Sequence, residues 1–227
     1  DAAIERAATK TGIELADGQR AAVRLAINER IAIITGGPGV GKTTVLRTVL
    51  AVLDSLHKHS VLAAPTGRAA KRLAESGGRE AFTLHRLLQY QPATGFIRNR
   101  HNQLVGDVFI IDEVSMVDLP LMAAMLDALP DNARLLLVGD ADQLPSVGPG
   151  TVLADLLATG AVPAARLTEV FRQAAESRII SAAHAVNHGV VPDLTPAKDC
   201  DCFFLPRPDA EKTLETILHL VRDRLPT

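Results

Sequence analysis

The chain has 227 residues, of which 47% are hydrophobic and 22% charged, and its formal net charge is −2. These values are typical of an ordinary globular protein with enough apolar material for a core, and they exclude a strong overall positive charge that would attract nucleic acid. Nucleic-acid binding would therefore have to come from a local face. No apolar run reaches the length of a membrane span, so no membrane partner is expected.

The chain has two cysteines, Cys200 and Cys202. Two cysteines are too few for a disulfide framework, which favours a reducing, cytoplasmic setting, and no further ligands cluster beside them to form a metal site. The first residue is Asp1, and Pro226-Thr227 follow directly on a helical pattern. We therefore expect a fragment of a longer protein.

Residues 1–30 have a helical pattern. Asp17 is predicted to cap a helix that runs through Gln19, Val23 and Ile27, with Leu15 as a staple. Considered within this helix alone, Gln19 is expected to face solvent in the first turn.

An apolar β-branched run leads into a glycine-rich turn and a helix over Ile31–Thr44, I-A-I-I-T-G-G-P-G-V-G-K-T-T. This segment matches G-x-x-x-x-G-K-[ST], in which glycines let backbone N–H groups surround phosphate oxygens and the helix directs its positive dipole end at them. Lys42 would reach the β- and γ-phosphates, and the Thr43 hydroxyl would bind Mg²⁺. The predicted nucleotide-binding residues of this segment are Gly37, Pro38, Gly39, Val40, Gly41, Lys42, Thr43 and Thr44.

Short apolar runs alternate with helical patterns beyond this loop. A wide apolar helical face over residues 42–57 precedes a predicted strand at Ser60–Ala64 and a helix at Arg68–Ser76. Such alternation predicts an α/β fold, in which a parallel sheet carries helices on both faces and ligands bind at the carboxyl ends of its strands.

Residues 77–106 are the least regular part of the pattern. A short helix is predicted at Thr83–Leu88, and residues 91–103 indicate a loop or a hairpin insertion. Arg98, Arg100 and His101 cluster there. A solvated loop is the favoured interpretation, with a nucleic-acid contact as the alternative.

The apolar strand predicted at Val108–Asp112 ends in Asp112 and Glu113. Beside a phosphate-binding loop, one carboxylate can hold hydrated Mg²⁺ while the other orients or deprotonates an attacking water. By itself an acidic pair after a strand could equally cap a helix. A helix is predicted to follow at Pro120–Leu129.

A third buried strand is predicted at Arg134–Val138, and Gln143 lies in the turn beyond it. The Gln143 amide could sense a γ-phosphate, because it both donates and accepts hydrogen bonds. A polar turn is the alternative interpretation.

The next predicted elements are a helix at Thr151–Leu157 and a strand at Arg166–Arg172. Arg172 could neutralise charge that develops on a transferred phosphate. Its alternative role is a surface ion pair with Glu169 or Glu176.

The C-terminal residues show a helix at Ile179–Val186, a strand at Asp199–Leu205 and an amphipathic helix at Asp209–Leu225. His184 and His188 are expected to be surface residues. We expect one domain over residues 1–173, and in residues 174–227 its continuation and the start of a second lobe.

Seven blocks in order resemble the first motor domain of superfamily 1 DNA helicases, in the RecD-like branch with the exodeoxyribonuclease V alpha subunit and TraA relatives. The blocks are L-A-D-G-Q-R-A-A-V around Gln19, G-G-P-G-V-G-K-T-T at 36–44, A-P-T-G-R-A-A at 64–70, T-L-H-R-L-L at 83–88, I-I-D-E-V-S-M at 110–116, V-G-D-A-D-Q-L-P-S-V at 138–147 and L-T-E-V-F-R-Q at 167–173. The resemblance implies a RecA-like P-loop NTPase fold, with ATP and Mg²⁺ as cofactors.

The resemblance also implies residue roles. Gln19 would read the adenine edge, Asp112 would act on Mg²⁺, and Glu113 would serve as the base for water. Gln143 would couple the γ-phosphate to the DNA groove, and Arg172 would contact the γ-phosphate. The residues similar to the family's single-stranded DNA contacts are Pro65, Thr66, Arg68, Thr83 and His85.

By the same resemblance, the parent protein would move 5′ to 3′ on single-stranded DNA, either alone or with helicase–nuclease subunits. No block similar to the second motor domain follows Arg172. We therefore expect this chain to bind ATP, to hydrolyse it weakly and not to unwind duplex by itself. The alternatives are another P-loop phosphotransferase, such as a kinase, and a nucleotide-switched interaction module.

Overall fold

A computed structural model describes residues 2–169, 177–195, 201–202 and 204–224. The chain divides into two compact units, Asp1–Ala174 and Ala175–Thr227. No helix within the described ranges is both long and apolar enough to cross a membrane.

The first unit is built on a six-stranded, wholly parallel sheet, which confirms the predicted α/β class. In space the strands follow the order β3-β2-β6-β7-β1-β8, and β4 and β5 form a separate antiparallel hairpin. The strands are β1 (Ile31–Gly36), β2 (Ser60–Ala64), β3 (Ala81–Thr83), β4 (Tyr90–Gln91), β5 (Gly95–Phe96), β6 (Val108–Ile111), β7 (Arg134–Gly139) and β8 (Ala164–Leu167).

Helices connect these strands. They are α1 (Ala2–Thr11), α2 (Asp17–Asn28), α3 (Lys42–Ser55), α4 (Gly67–Gly77), α5 (Leu84–Leu87), α6 (Leu119–Ala128) and α7 (Val152–Thr159), with a 3-10 turn at Val114–Met116. The predicted helices at 68–76, 120–129 and 151–157 are therefore confirmed to within two residues at each end.

The sheet separates two hydrophobic cores, because successive strand residues point to opposite faces. On β1, Ile34 packs with α1 to α4 in one core and Ile33 packs with α5 to α7 in the other. The four inner strands β2, β6, β7 and β1 are buried almost throughout, as expected for a parallel sheet covered by helices, whereas the edge strands β3 and β8 are partly exposed.

The N-terminal turn of α2 differs from the prediction. Asp17 is the first helical residue and Ala16 is the N-cap, which offers no side-chain hydrogen bond. The predicted capping role of Asp17 is therefore wrong. The Ala16 N–H donates instead to Oε1 of Gln19 at 3.1 Å, so this residue satisfies a donor that precedes the helix.

The second unit contains α8 (Arg178–Asn187) and α9 (Ala210–His219), followed by a π-helical turn at Leu220–Arg224. The helix predicted at 209–225 is therefore helical over residues 210–224, with a π-helical last turn in place of a regular α-helical one. Of the strand predicted at 199–205, the structure describes residues 201, 202, 204 and 205, and none of these is in a strand.

Candidate functional site

The predicted site residues come together at the carboxyl edge of the sheet. Because the strands are parallel and paired in register, with Thr35 beside Gly139 and Ala63 beside Ile111, the segments that follow them emerge at one edge. These segments hold the phosphate-loop residues, Pro65 to Arg68, Thr83 to His85, Asp112 and Glu113, and Gln143. Arg172 lies outside the described residues.

The loop between β1 and α3 has the backbone that its glycines permit. Gly39 and Gly41 have φ values of +77° and +83°, which side chains other than glycine rarely adopt. A Cβ on Gly36 would lie 2.6 Å from the Leu167 carbonyl oxygen and 2.8 Å from a Val40 methyl carbon. The loop therefore passes close to its neighbours and leaves its N–H groups free of side-chain obstruction, as a phosphate cradle requires.

Lys42 begins α3 and folds back over the loop. Its Nζ donates to the carbonyl oxygens of Gly37, at 2.9 Å, and of Gly36. The N-cap residue of α3 is Gly41, which has no side chain that could accept a hydrogen bond from the helix. The first N–H groups of α3 therefore remain available beside Lys42. The exposed Thr43 lies one residue further. A cation, a hydroxyl and free N–H groups are the components of an anion site.

Gln19 approaches the same loop from α2. The residue is only 3% exposed, so the expectation that it faces solvent is wrong. Its Nε2 donates to the Val40 carbonyl oxygen at 3.5 Å while its Oε1 accepts from Ala16. The pattern of α2 alone could not have revealed this contact, because its partner lies 21 residues away in the chain.

Asp112 continues β6 into the site. Its N–H donates to the Ala63 carbonyl oxygen at 2.9 Å, and its Oδ1 accepts from the Glu113 N–H at 2.9 Å. Burial raises the pKa of Asp112 to about 6, and the negative charge of Glu113 adds to the shift, while that hydrogen bond and the positive charge of Lys42 oppose it. Because burial disfavours the negative charge of Asp112, a nearby cation would stabilise its ionised form.

Glu113 has a strained backbone. Its φ is +55° and its ψ is +42°, in the left-handed region that residues with a side chain seldom adopt. Such strain costs on the order of 1–3 kcal/mol and is commonly found at functional sites. Glu113 and Asp112 are both half-buried, so two adjacent carboxylates lie at this edge of the sheet.

Asp140 is a site residue that the sequence analysis missed. It follows β7 as Asp112 follows β6, and it is 3% exposed. Its two carboxylate oxygens accept from the Asp142 N–H at 3.1 Å and from Gln143 Nε2 at 3.4 Å. An acid directly after a buried strand was the available signal. Asp140 therefore holds the amide that was predicted to sense the nucleotide.

A second contact ties the Gln143 turn to the strand before the phosphate loop. The Ala141 N–H donates to Oγ1 of the buried Thr35 at 3.3 Å. Thr35 immediately precedes Gly36. A displacement of the phosphate loop would therefore also displace the turn that carries Gln143.

The residues predicted to contact DNA include two helix caps. Thr66 Oγ1 accepts from the Ala69 N–H at 3.2 Å, and Thr83 Oγ1 accepts from the Arg86 N–H at 3.2 Å. Each hydroxyl keeps its own O–H for another acceptor. Arg68 is exposed at the start of α4.

The hairpin predicted as an alternative for residues 91–103 is present as β4 and β5. Arg100 bonds Asp127 through Nε at 2.7 Å, and Arg98 donates to Asn102 and to the Gln103 carbonyl oxygen. Arg98 thus stabilises the loop itself, and Arg100 ties it to α6. The nucleic-acid contact considered for this cluster stays a prediction.

The arrangement can bind a phosphate chain and a hard cation. Mg²⁺ typically takes one or two protein oxygens and completes its shell with water and phosphate oxygens. The Thr43 hydroxyl follows the loop directly, and the Asp112 carboxylate lies near enough to Lys42 for the charge of the lysine to act on it. Within the described ranges there is no group of three or more His, Cys, Asp or Glu that could hold a metal without such help. These donors fit a cation bound together with a nucleotide.

The chain matches a family model described as an AAA domain over residues 19–149. It is 46% identical over 178 residues to the ATP-dependent RecD2 DNA helicase of Deinococcus radiodurans, which covers 78% of this chain and 24% of that protein. It is 44% identical over 164 residues to the RecBCD enzyme subunit RecD of Mycobacterium tuberculosis, which covers 62% of this chain and 28% of that subunit. The chain therefore spans about a quarter of the length of these curated relatives.

Solved helicase structures share the fold. The Pif1 helicase from Candida albicans superposes with a TM-score of 0.61 at 24% identity, over 83% of this chain and 50% of that one. Bacteroides Pif1 bound to ssDNA superposes with a TM-score of 0.53 at 18% identity, over 91% of this chain and 56% of that one. At these identities the likeness extends to the architecture alone.

Proposed function

This chain belongs to the AAA domain family and, within it, to the RecD-like helicases of superfamily 1, and on that premise we propose that it is an ATP-binding motor domain. In the complete protein, ATP hydrolysis by this domain would drive 5′-to-3′ movement on single-stranded DNA. The observation that supports this most is the meeting of Lys42, Asp112 and Glu113 at one sheet edge, where the charge of Lys42 acts on the half-buried Asp112.

The family binds a nucleotide with a metal ion, and we propose ATP and Mg²⁺. Bound Mg²⁺ would neutralise phosphate charge. The N–H groups of Gly37 and of residues 39–44 would surround the phosphates. Lys42 would exchange its carbonyl contacts for phosphate oxygens, which are stronger acceptors. Gln19 would recognise the adenine edge, and Thr43 with Asp112 would hold the cation, with Asp112 acting through water.

Glu113 is proposed as the general base. Its carboxylate would accept the proton of the attacking water, and its neighbour Asp112 would remain committed to the cation. Gln143, held by Asp140, would contact the γ-phosphate or the water, and Arg172 would neutralise the developing charge. These roles require Asp112, Glu113, Gln143 and Arg172 to meet at the carboxyl edge of the sheet. The first three follow strands that end at that edge.

Single-stranded DNA is the proposed polymer. The O–H groups of Thr66 and Thr83 and the charge of Arg68 would hold phosphates without reading sequence, with Pro65 and His85 alongside. Helicase–nuclease subunits are proposed partners of the complete protein, since relatives carry the name RecBCD subunit. We propose residues 1–173 as the motor lobe and residues 174–227 as its continuation toward a second lobe.

The test is ATP hydrolysis by this chain at increasing concentrations of oligothymidylate. A motor domain predicts hydrolysis that depends on DNA, at a low rate because the family site closes between two lobes. Hydrolysis that never responds to DNA would instead favour a nucleotide-switched module, and phosphate transfer to a small acceptor would favour a kinase.

A further inference from the structure

Three rings gather where the hairpin leaves the carboxyl edge of the sheet. The ring centroids of His85 and Tyr90 are 5.5 Å apart at an interplanar angle of 86°, and those of Tyr90 and Phe96 are 5.0 Å apart at 58°. His85 and Phe96 are 5.8 Å apart at 44°. No pair of these rings is stacked in parallel, so the rings support one another at an angle and do not cover each other's faces.

Tyr90 is the only tyrosine of a chain without tryptophan in which 3% of residues are aromatic. It is 48% exposed, whereas the core of the same unit is built from aliphatic residues and Phe109. A tyrosine placed for packing would normally bury its ring. Its position on Phe96 and beside His85 leaves a large part of the ring facing solvent.

The backbone that leads into Tyr90 is hydrogen-bonded to the segment that follows β5. Leu88 is fully buried, and its carbonyl oxygen accepts from the Arg98 N–H at 3.1 Å. The Gln89 carbonyl oxygen accepts from the Ile97 N–H at 3.4 Å, and Gln89 itself has a φ of +53°. Gln89 is thus a strained residue between the buried Leu88 and the exposed ring of Tyr90. Strain of this kind is commonly found at functional sites.

The ring cluster lies beside the residues proposed to bind DNA. His85 belongs to α5, which directly follows the carboxyl end of β3, and Thr83 caps that helix. The ring of Tyr90 therefore continues the surface formed by Thr83 and His85. Rigid exposed aromatic rings next to phosphate-binding groups are the arrangement that proteins use to stack single-stranded bases without sequence preference.

We propose that Tyr90 stacks on one base of the bound single-stranded nucleic acid, with His85 and Phe96 as its support. The inference rests on the proposed function and adds to it a base-binding position that phosphate contacts alone do not supply. Because every base has a π-face, this position would accept all four bases.

The experiment compares two labelled probes at one salt concentration: an oligothymidylate, and an abasic oligomer of the same length and charge. Fluorescence anisotropy is measured with the complete 227-residue chain and with Tyr90→Leu and Tyr90→Phe. Leucine keeps an apolar contact with Phe96 but has no ring, and phenylalanine keeps the ring. Tyr90→Leu should bind oligothymidylate roughly 5- to 150-fold more weakly, the range found for loss of one stacked base.

The same variant should bind the abasic oligomer as the unchanged chain does, and Tyr90→Phe should bind both probes normally. Equal affinity of Tyr90→Leu and the unchanged chain for oligothymidylate would overturn the stacking site and leave the proposed function intact. An equal loss on both probes would also overturn it, because the defect would then lie in the hairpin. If the unchanged chain bound neither probe, the proposed function would fail together with this site.

Discussion

The Gln19 side-chain amide donates to the Val40 carbonyl oxygen across 3.5 Å, which joins α2 to the phosphate-binding loop. The same side chain accepts from the Ala16 N–H at 3.1 Å. Gln19 is thus fixed at both of its polar atoms while it is almost fully buried. A nucleotide base beside this loop would meet an amide whose orientation is already set.

We expect Gln19→Ala to reduce discrimination between ATP and GTP about tenfold, since one fixed hydrogen-bonding group would be lost. The measurement is the affinity of each nucleotide for the variant and the unchanged chain. Gln103→Ala, which removes an amide that bonds the Leu129 carbonyl oxygen, serves as the control and should leave the ratio unchanged. An unaltered ratio in Gln19→Ala would remove Gln19 from base recognition.

Glu113→Gln should retain ATP binding and lose hydrolysis, because glutamine keeps the shape of the side chain but cannot accept the proton. The expected fall in kcat is on the order of 10²–10⁴-fold. Glu75 is exposed on α4, and Glu75→Gln is the matched control for the loss of one negative charge. Loss of ATP affinity in Glu113→Gln, with its fold intact, would show that Glu113 acts in binding and is not the base.

The raised pKa of Asp112 makes stability depend on pH. Burial raises this pKa from 3.8 to about 6, so the folded chain holds the proton more tightly than the unfolded chain does. The free energy of unfolding contributed by Asp112 therefore falls as the pH rises from about 4 to about 6, and it stays low above that range. Lys42 and Glu113 are the charged neighbours that act on this carboxyl group.

Asp112→Asn has no such ionisation. In metal-free buffer it should be more stable than the unchanged chain near neutral pH, by up to about 3 kcal/mol for a difference of roughly two pKa units. The gain should disappear below about pH 4. Denaturant unfolding across this range is the measurement, with the exposed Asp142→Asn as control. A gain in stability that did not vary with pH would contradict the assigned cause.

Asp140 is expected to act through Gln143. Asp140→Asn places an amide where the Gln143 Nε2 now meets a carboxylate oxygen, so kcat should fall about tenfold while the affinity for ATP is kept. The double variant Asp140→Asn with Gln143→Ala should be no slower than Gln143→Ala alone, because Asp140 then has no Gln143 amide to orient. Multiplied losses in the double variant would mean that the two residues act separately.

Much of the fold could be predicted because its signals are local. The strand at 60–64 and the apolar face of α3 are continuous or periodic runs. The apolar side chains of that face are buried: Val45, Leu46, Val49, Leu50, Val52 and Leu53. β3 was missed because it has only three residues, all half-buried, and no apolar run.

The chemistry of the site was predictable where a motif carries it, and less so where tertiary contacts do. Lys42, Thr43 and Asp112 follow from glycine spacing and from a strand that ends in acids. The bonds from Gln19 to Val40 and from Ala141 to Thr35 join residues 21 and 106 positions apart. Local patterns contain no information on such pairs, so the burial of Gln19 and the contact between Ala141 and Thr35 emerged only from the structure.

Binding of a non-hydrolysable ATP analogue with Mg²⁺ tests the central claim most directly, by calorimetry on the unchanged chain, Lys42→Ala and Lys58→Ala. Lys58 lies before β2, with its Nζ 3.8 Å from Oδ1 of Asp107, and Lys58→Ala is the matched lysine control. The account predicts one site whose affinity falls roughly 10- to 150-fold in Lys42→Ala, as for a lost charge-assisted hydrogen bond, and is unchanged in Lys58→Ala. Binding that is absent from the unchanged chain, or equal in Lys42→Ala, would contradict a nucleotide site at this edge of the sheet.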